Sequence, residues 1–564
     1  MSWSGIKVEE TLRQRLVSRY RKVDGQALTK LASMGLTWLR TNQELVNSLN
    51  VFPVPDGDTG INMVLTMQSA WQEIAQLGER SIGKVCHAIA HGALMGARGN
   101  SGVILSQLWR GFARSLDGIP EMDAEAFVHA LVEARNTAYK GVVRPVEGTI
   151  LTVSKDIAGA ALRCLEQGVS STLEVLEHVV EAAADSVERT PELLPVLKEA
   201  GVVDAGGKGL FFLLEGMLRG AYRLPLDQAL FALQPLSALN LERAAECIEP
   251  GQDWEIVADI RLDGELDVQT VYERLDKMGT SIQIGEGDGI CRMHIHVPDN
   301  TQYEPIDYMR TLGTVTKVTI ENLMEQTQSA NQTTDVGSVT PNAIEPGQIA
   351  SVAVAPGMGI ARVFCSLGAT AIVEGGQTMN PSTKEILSAF EDLPTNKIVI
   401  LPNNKNIILA AKQAAGLTVK QVAVIPSVSI PQGVAAMLSI DPDGDFNHVV
   451  EAMTKGLGEV QSAELTIATR SVEIDGVQVR EGQVIALLNN HLAEAGDDLE
   501  QTLINLLEKA HASEAELITL YYGRDMPAMQ ANQIADNLRK RWPGQEVEVV
   551  DGGQPHYHFI VSIE

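Results

Sequence analysis

No stretch of this 564-residue chain reaches 18 uncharged apolar residues, so no membrane-spanning helix is expected. The first residues mix Glu9 and Glu10 with Arg13, Arg15, Arg19, Arg21 and Lys22, and they lack both an apolar signal core and a small-residue cleavage site. The five cysteines, Cys86, Cys164, Cys247, Cys291 and Cys365, are far apart, odd in number and without a CxxC pair. That spacing argues against a disulfide framework or a zinc ribbon and suits a reducing, cytoplasmic compartment. Neither the GxxxxGKS/T pattern nor a GxGxxG opening a βαβ unit occurs, so conventional P-loop and dinucleotide sites lose support. Basic charge is in deficit, 44 Lys and Arg against 72 Asp and Glu for a net charge of -28. This balance disfavours nucleic acid and anionic membranes as partners. An anionic substrate would need a divalent metal or backbone N–H groups to offset the repulsion. Aromatics are scarce, with 10 Phe against 49 Gly, which points to glycine-built loops between elements packed by Leu, Ile, Val and Ala.

The length is too great for one ordinary core. Residues 1–235 are mostly helical in pattern, with long periodic segments at Gly25 to Leu49, Met63 to Leu77 and Asp123 to Lys140. Glycine-rich punctuation separates them at Pro55 to Gly60, Gly92 to Gly102, Glu147 to Thr149 and Asp204 to Gly209. This predicts a helical bundle or barrel with functional groups on its loops. A small α/β module follows at 236–325, with strands at Trp254 to Leu262, Ser281 to Gly285 and Ile290 to His296 and a helix at Val268 to Met278. Residues 326–345 are polar and read as a linker. In 346–564, runs at Ala350 to Ala355, Ala371 to Glu374, Lys397 to Leu401 and Gln421 to Pro426 alternate with helical segments such as Asn406 to Ala415. That alternation predicts βαβ units on a mainly parallel sheet. Runs at Val477 to Leu488, Glu516 to Tyr521, Glu546 to Val550 and Phe559 to Ser562 supply a second layer.

The most informative segment runs from Asn50 through Pro53, Pro55, Asp56, Gly57, Asp58, Thr59 and Gly60 to Asn62 and Met63. Two prolines stiffen the approach and two glycines allow tight geometry around Asp56 and Asp58. Carboxylates two apart in a loop can face one cation, and hard oxygen ligands suit Mg²⁺, with Asn50 and Thr59 offering further oxygens. An ordinary Asx turn has the same sequence. The second loop, His91 to Gly102, carries Gly99, Asn100, Ser101 and Gly102 before a helical run. Small residues there either admit phosphate to backbone N–H groups and the Ser101 hydroxyl, or permit a close helix crossing. Gly148 with Thr149, and Asp204 with Gly206, give two more polar loops, while Lys208 is expected in solvent.

Residues 20–235 resemble the nucleotide-binding domain of dihydroxyacetone kinases in these loops. With the runs Gly375 to Thr383 (GGQTMNPST) and Leu401 to Asn406 (LPNNKN), the whole chain resembles the kinase subunit of bacterial fatty acid kinase. The resemblance implies an all-α DhaL-like barrel, a small α/β middle domain and a DegV-like α/β C-terminal domain. It implies ATP and Mg²⁺ as cofactors, with Asn50, Asp56 and Asp58 as the metal ligands. Candidate nucleotide contacts are Thr59, Asn62, Met63, Gly99, Asn100, Ser101, Gly102, Gly148, Thr149, Asp204 and Gly206. A separate DegV-like fatty-acid-binding carrier protein is the implied partner, and the chain is expected to form a homodimer.

His294 and His296 stand two apart on a predicted strand and therefore share a face. They either belong to a polar strand face or contribute to a Zn²⁺ site. The resembling family joins two such histidines to a cysteine on the preceding strand, and Glu255 stands where that cysteine is expected. His294 and His296 are placed near the substrate path, with Glu255 preserving a weaker metal site. The leading reading is ATP-dependent phosphorylation of a carrier-bound fatty acid to an acyl phosphate. Its alternatives are a kinase for a small hydroxylated metabolite such as dihydroxyacetone, and a nucleotide-gated scaffold.

Overall fold

The computed structural model describes residues 10–50, 57–142, 144–226, 234–235, 254–262, 268–275, 277–287, 290–298, 301–322, 342–377, 379–468, 472–474 and 477–564. They fall into two compact units, Met1–Ala229 with Val339–Glu564, and Leu230–Ser338.

The N-terminal part of the first unit is all helical: α1 (Glu10–Arg19), α2 (Gly25–Thr41), α3 (Gln43–Ser48), α4 (Thr59–Ile74), α5 (Ile82–Met95), α6 (Gly99–Ser115), α7 (Ala124–Gly141), α8 (Ile150–Glu166), α9 (Thr172–Glu188), α10 (Thr190–Leu193), α11 (Pro195–Ala200) and α12 (Ala205–Ala221). Side-chain caps set several starts, Asp24 accepting from the Ala27 N–H at 2.9 Å and Asp123 from that of Ala126 at 3.0 Å. The segment expected to run unbroken from Gly25 to Leu49 divides at Asn42. There the Asn42 side chain donates to the Trp38 carbonyl at 2.8 Å and closes α2.

Helix α2 is tied to α12 through the core. The fully buried Glu215 accepts from Trp38 Nε1 at 2.9 Å and lies 3.7 Å from Arg219, whose guanidinium stacks 4.0 Å from the Trp38 ring. Arg219 also donates to the Pro225 carbonyl at 2.9 Å, so the buried charges are both paired and hydrogen-bonded. Beside this network an apolar cavity of about 100 Å³ is lined by Leu28, Leu105, Trp109, Phe112, Phe127 and Met217, among others.

Gly92, expected in a loop, lies inside α5. A Cβ there would stand 2.6 Å from the Ser69 carbonyl oxygen, so this glycine serves the crossing of α5 over α4.

The unit Leu230–Ser338 is built on a sheet of β1 (Gln234–Pro235), β2 (Trp254–Leu262), β3 (Thr280–Gly287), β4 (Ile290–Val297) and β5 (Gly313–Asn322), in the order β1-β3-β4-β2-β5. Ile256, Ala258, Ile260, Met293 and Ile295 form its core with helix Val268–Leu275.

The C-terminal part of the first unit begins with β6 (Ile349–Ala355), β7 (Ala371–Glu374), β8 (Lys397–Leu401) and β9 (Gln421–Val424), an all-parallel sheet in the order β7-β6-β8-β9. It continues with β10 (Gln461–Ile467), β11 (Val472–Ile474), β12 (Val477–Val479), β13 (Val484–Leu488), β14 (His491–Gly496), β15 (Leu517–Tyr522), β16 (Glu546–Asp551) and β17 (Phe559–Ile563). Of these, six form a mixed sheet in the order β14-β13-β10-β17-β15-β16. The run Val477 to Leu488 is not one strand, because the turn at Gly482 (φ +80) divides β12 from β13. Most of the expected linker 326–345 lies outside the described residues. No helix among the described residues is long and apolar enough to cross a membrane.

The two parts of the first unit share a core, since Ala97 and Val103 pack with Val352, Ile386, Ile400 and Ala410. Replacing Gly92 by Ala should destabilise the protein by about 1–3 kcal/mol through overpacking at the α4–α5 crossing. Urea unfolding measures this, and an unchanged midpoint would refute the crossing.

Candidate functional site

Helix α4 has an unusual N-terminus. Asp58 stands at its N-cap position but makes no side-chain cap bond; instead Asn47, reaching from α3, accepts from the N–H groups of Gly60 at 2.8 Å and Ile61 at 3.2 Å. The Asp58 carboxylate, on a residue only 3% exposed, is turned to another use and accepts a hydrogen bond from the Asn380 Nδ2 of the C-terminal domain. Beside it Asn62 is equally buried, and Gly99 opens α6 with φ +56. A Cβ on Gly99 would meet Asn62 Nδ2 at 2.5 Å and lie 3.4 Å from Asn380 Nδ2, so glycine is required by both its backbone and its neighbours.

The turn after β7 is held against this end of the helical domain. Arg98 donates to the Asn380 carbonyl at 2.9 Å and pairs with Glu385 at 3.0 Å, and the Thr383 N–H donates to the Ala97 carbonyl at 3.1 Å. Burial alone would raise the Glu385 carboxyl, but the Ser382 N–H, Arg98 and the Ser382 hydroxyl outweigh it and lower its pKa. From the turn after β8, Asn406 accepts from Asn100 Nδ2 at 3.0 Å. Both turns follow the carboxyl ends of parallel strands, where open α/β sheets carry their ligand loops.

A second pair of helix starts lies alongside. Thr149 caps α8, and Gly148 before it (φ +82) donates its N–H to Thr152 Oγ1 at 2.8 Å. Asp204 caps α12, accepting from the Gly207 N–H at 2.6 Å. Burial raises the Asp204 carboxyl to about 6, against the lowering effect of the Gly207 and Ile150 N–H groups. A Cβ on Gly206 would lie 3.4 Å from Ile150 Cβ, and Gly209 abuts the sulfur of Met63, which ties α8, α12 and α4 together near their starts. Thus α4, α6, α8 and α12 point their N-termini toward one end of the domain, where aligned helix dipoles favour an anion.

The structure therefore gathers Asp58, Asn62, Gly99 and Asn100 in one group, and Gly148, Thr149, Asp204 and Gly206 in an adjoining one. Thr59 opens α4, Ser101 is partly exposed in the first turn of α6, and Asn50 is half-buried just beyond α3. Met63 is fully buried toward the core, and Gly102 packs against Thr66. Lys208 is not the solvated side chain expected: it is 21% exposed, lies 5.0 Å over the Phe211 ring and stands 4.0 Å from Glu188. Asp56 lies outside the described residues.

Sequence reasoning missed Asn47, Arg98 and the role of Asn380. Asn380 lies within the GGQTMNPST run, yet nothing local ties it to a residue 322 positions away. Among the described residues no cluster of three or more His, Cys, Asp or Glu forms a ready metal cage. The buried Asp58 carboxylate and the Asn380 Oδ1, buried without a hydrogen-bond partner, are nonetheless hard oxygens of the kind that suit Mg²⁺ beside phosphate.

In the other unit, the β2–β4 register sets Glu255 opposite His296 and Val257 opposite His294. His296 is fully buried.

A carboxyl whose folded pKa exceeds its unfolded value takes up a proton on folding, so its contribution to stability is complete below the unfolded pKa near 3.8 and falls as pH rises toward 6. Asp204→Asn should flatten the fall in stability between pH 4 and 6 relative to the parent, by about 3 kcal/mol in total. Chemical denaturation across that range checks it, and parallel pH profiles would refute the burial-driven shift.

The chain matches three family models: the DAK2 domain over residues 53–219, the middle domain of FakA-like fatty acid kinase proteins over 253–330, and the C-terminal domain of the same FakA-like proteins over 350–564. It is 38% identical to Protein YloV of Bacillus subtilis over 96% of this chain and 100% of that one. An uncharacterized protein of Staphylococcus haemolyticus is 36% identical over 96% of this chain and 100% of its own length. Solved structures that align include a DegV family protein from Corynebacterium glutamicum (16% identity, TM-score 0.31, 38% of this chain and 95% of that one). A fatty-acid-binding DegV family protein from Thermus thermophilus aligns with 13% identity and TM-score 0.29 over 38% of this chain and 99% of that one.

Proposed function

The chain belongs to the FakA-like family of fatty acid kinase proteins, and from that premise we propose that it transfers the γ-phosphoryl group of ATP to the carboxylate of a fatty acid presented by a separate DegV-like carrier protein. The observation that carries this reading is the buried Asp58 carboxylate beside the converging N-termini of α4, α6, α8 and α12. The positive ends of those helices offset phosphate charge in a protein whose net charge of -28 otherwise repels it. Mg²⁺ held near Asp58 would neutralise phosphate oxygens and orient them for in-line transfer. Asn47 takes over the capping of α4 and so leaves the Asp58 carboxylate turned toward that region. The reaction balances simply. A fatty acid carboxylate oxygen bonds to the γ-phosphorus, the bond from that phosphorus to the bridging oxygen breaks, and ADP leaves with its electron pair. A carboxylate is already ionised at neutral pH, so no general base is needed.

The cavity at the carboxyl edge of the C-terminal parallel sheet is too small to hold an acyl chain. Lined by Val354, Asn403, Glu464 and Tyr557 among others, it has a volume of about 30 Å³. That is room for about one water, against roughly 300 Å³ or more for a small-molecule pocket. Glu464, at the same place, has its carboxyl raised to about 6 by burial, only partly offset by Tyr557 and Lys405. A second carboxylate would be repelled there at neutral pH.

Asp58→Asn should lower acyl phosphate formation about 10²-fold or more, the scale of a lost electrostatic contact in catalysis. The assay mixes ATP, Mg²⁺ and fatty acid with and without a purified DegV-like carrier and traps acyl phosphate as hydroxamate. Product without the carrier, or normal turnover by the variant, would overturn the reading.

A further inference from the structure

Asn380 is 2% exposed, yet only half of its carboxamide is used. Nδ2 donates to Asp58, while Oδ1 is buried without a hydrogen-bond partner. An orphaned buried carbonyl oxygen costs about 1–3 kcal/mol, so its retention points to a partner that binds there. The side chain is also held in place from both directions. Its own backbone carbonyl is gripped by Arg98, and its neighbours Ser382 and Glu385 form a capping box that fixes the start of helix Thr383–Glu391. Gly99 leaves the space in which the carboxamide lies, since a Cβ there would press on both Asn62 and Asn380.

We infer that Asn380 is a positioning residue of the phosphoryl-transfer site, contributed by the C-terminal domain: its amide orients the Asp58 carboxylate, and its oxygen meets the magnesium–nucleotide ligand at the N-termini of α4 and α6. The inference rests on the nucleotide site proposed above and adds a claim that site does not require. The nucleotide site is complete only when the turn after β7 is seated on the helical domain. The C-terminal domain then acts as one wall of the kinase site, which explains why the contact is polar and directional at Asn380 but apolar at Ala97 and Val103, where it only needs to hold.

Two effects distinguish this role from that of a structural contact. In Asn380→Ala the Asp58 carboxylate loses the Asn380 donor and the ligand loses an oxygen, so affinity for magnesium–ADP should fall about 10- to 100-fold, the usual cost of losing a group that orients a metal ligand. Affinity for ADP in EDTA should change little. Asn380→Asp keeps an oxygen but sets two carboxylates together, so its melting temperature without metal should fall, and the gain on adding Mg²⁺ with ADP should exceed that of the parent.

The experiment is calorimetric titration of the full-length chain and of Asn380→Ala, Asn380→Asp and Asp58→Asn with ADP, in Mg²⁺ and in EDTA, alongside thermal unfolding. A loss specific to Mg²⁺ in Asn380→Ala, with the larger Mg²⁺-dependent gain in Asn380→Asp, supports the inference. If Asp58→Asn loses magnesium–ADP binding while Asn380→Ala keeps it, Asn380 is structural and the inference falls while the nucleotide site stands. If both variants bind as the parent does, the nucleotide reading falls as well. Tighter binding by Asn380→Ala would mean that the turn blocks the site, which also overturns the inference.

Discussion

A carboxylate removed from water must find donors or a cation, and the arrangement around Asp58 follows from that requirement. Asp58 lies 3% exposed at the start of a helix whose caps are supplied by another residue. With Asn47 serving the backbone of α4, Asp58 is not committed to its own helix. One donor is delivered from the far part of the chain, and the contacts that hold that donor, Arg98 with Glu385 and Thr383 with Ala97, also hold the two parts of the first unit together. One buried charge thus links the local geometry of a loop to the association of two domains.

The C-terminal parallel sheet uses its carboxyl edge to meet the helical part of the chain. The turns after β7 and β8 occupy the place where parallel α/β sheets meet ligands. Here they meet protein: Asn380 and Asn406 engage Asp58 and Asn100. Behind them lies a cavity of about 30 Å³, lined in part by Glu464. The sheet edge at which such folds carry ligand loops here forms polar contacts with a neighbouring domain.

Element types were legible in the sequence wherever one periodicity ran long, as in α7 and in strands β2, β7 and β8. Glycine was harder to read. Gly92 and Gly99 look alike in a glycine-rich stretch, but one lies at a helix crossing and the other bends the chain at the site. The distinction depends on what packs opposite, which a local pattern does not carry. Asp58 could be singled out because two prolines and two glycines frame it. Asn380 could not be joined to it, because the pairing is a tertiary contact between loops of different domains. The resemblance singled out Glu255, His294 and His296 without pairing them; the pairing of Glu255 with His296 comes from the β2–β4 register.

The cavity of about 100 Å³ inside the helical domain has a mechanical consequence. Its lining includes Trp109, Phe112 and Phe127, and water does not enter such apolar space readily. Volume that is empty in the folded state is lost when the chain unfolds, so eliminating it would shrink the system by about 60 mL/mol at most. Such an internal void is one place where hydrostatic pressure favours the unfolded helical domain.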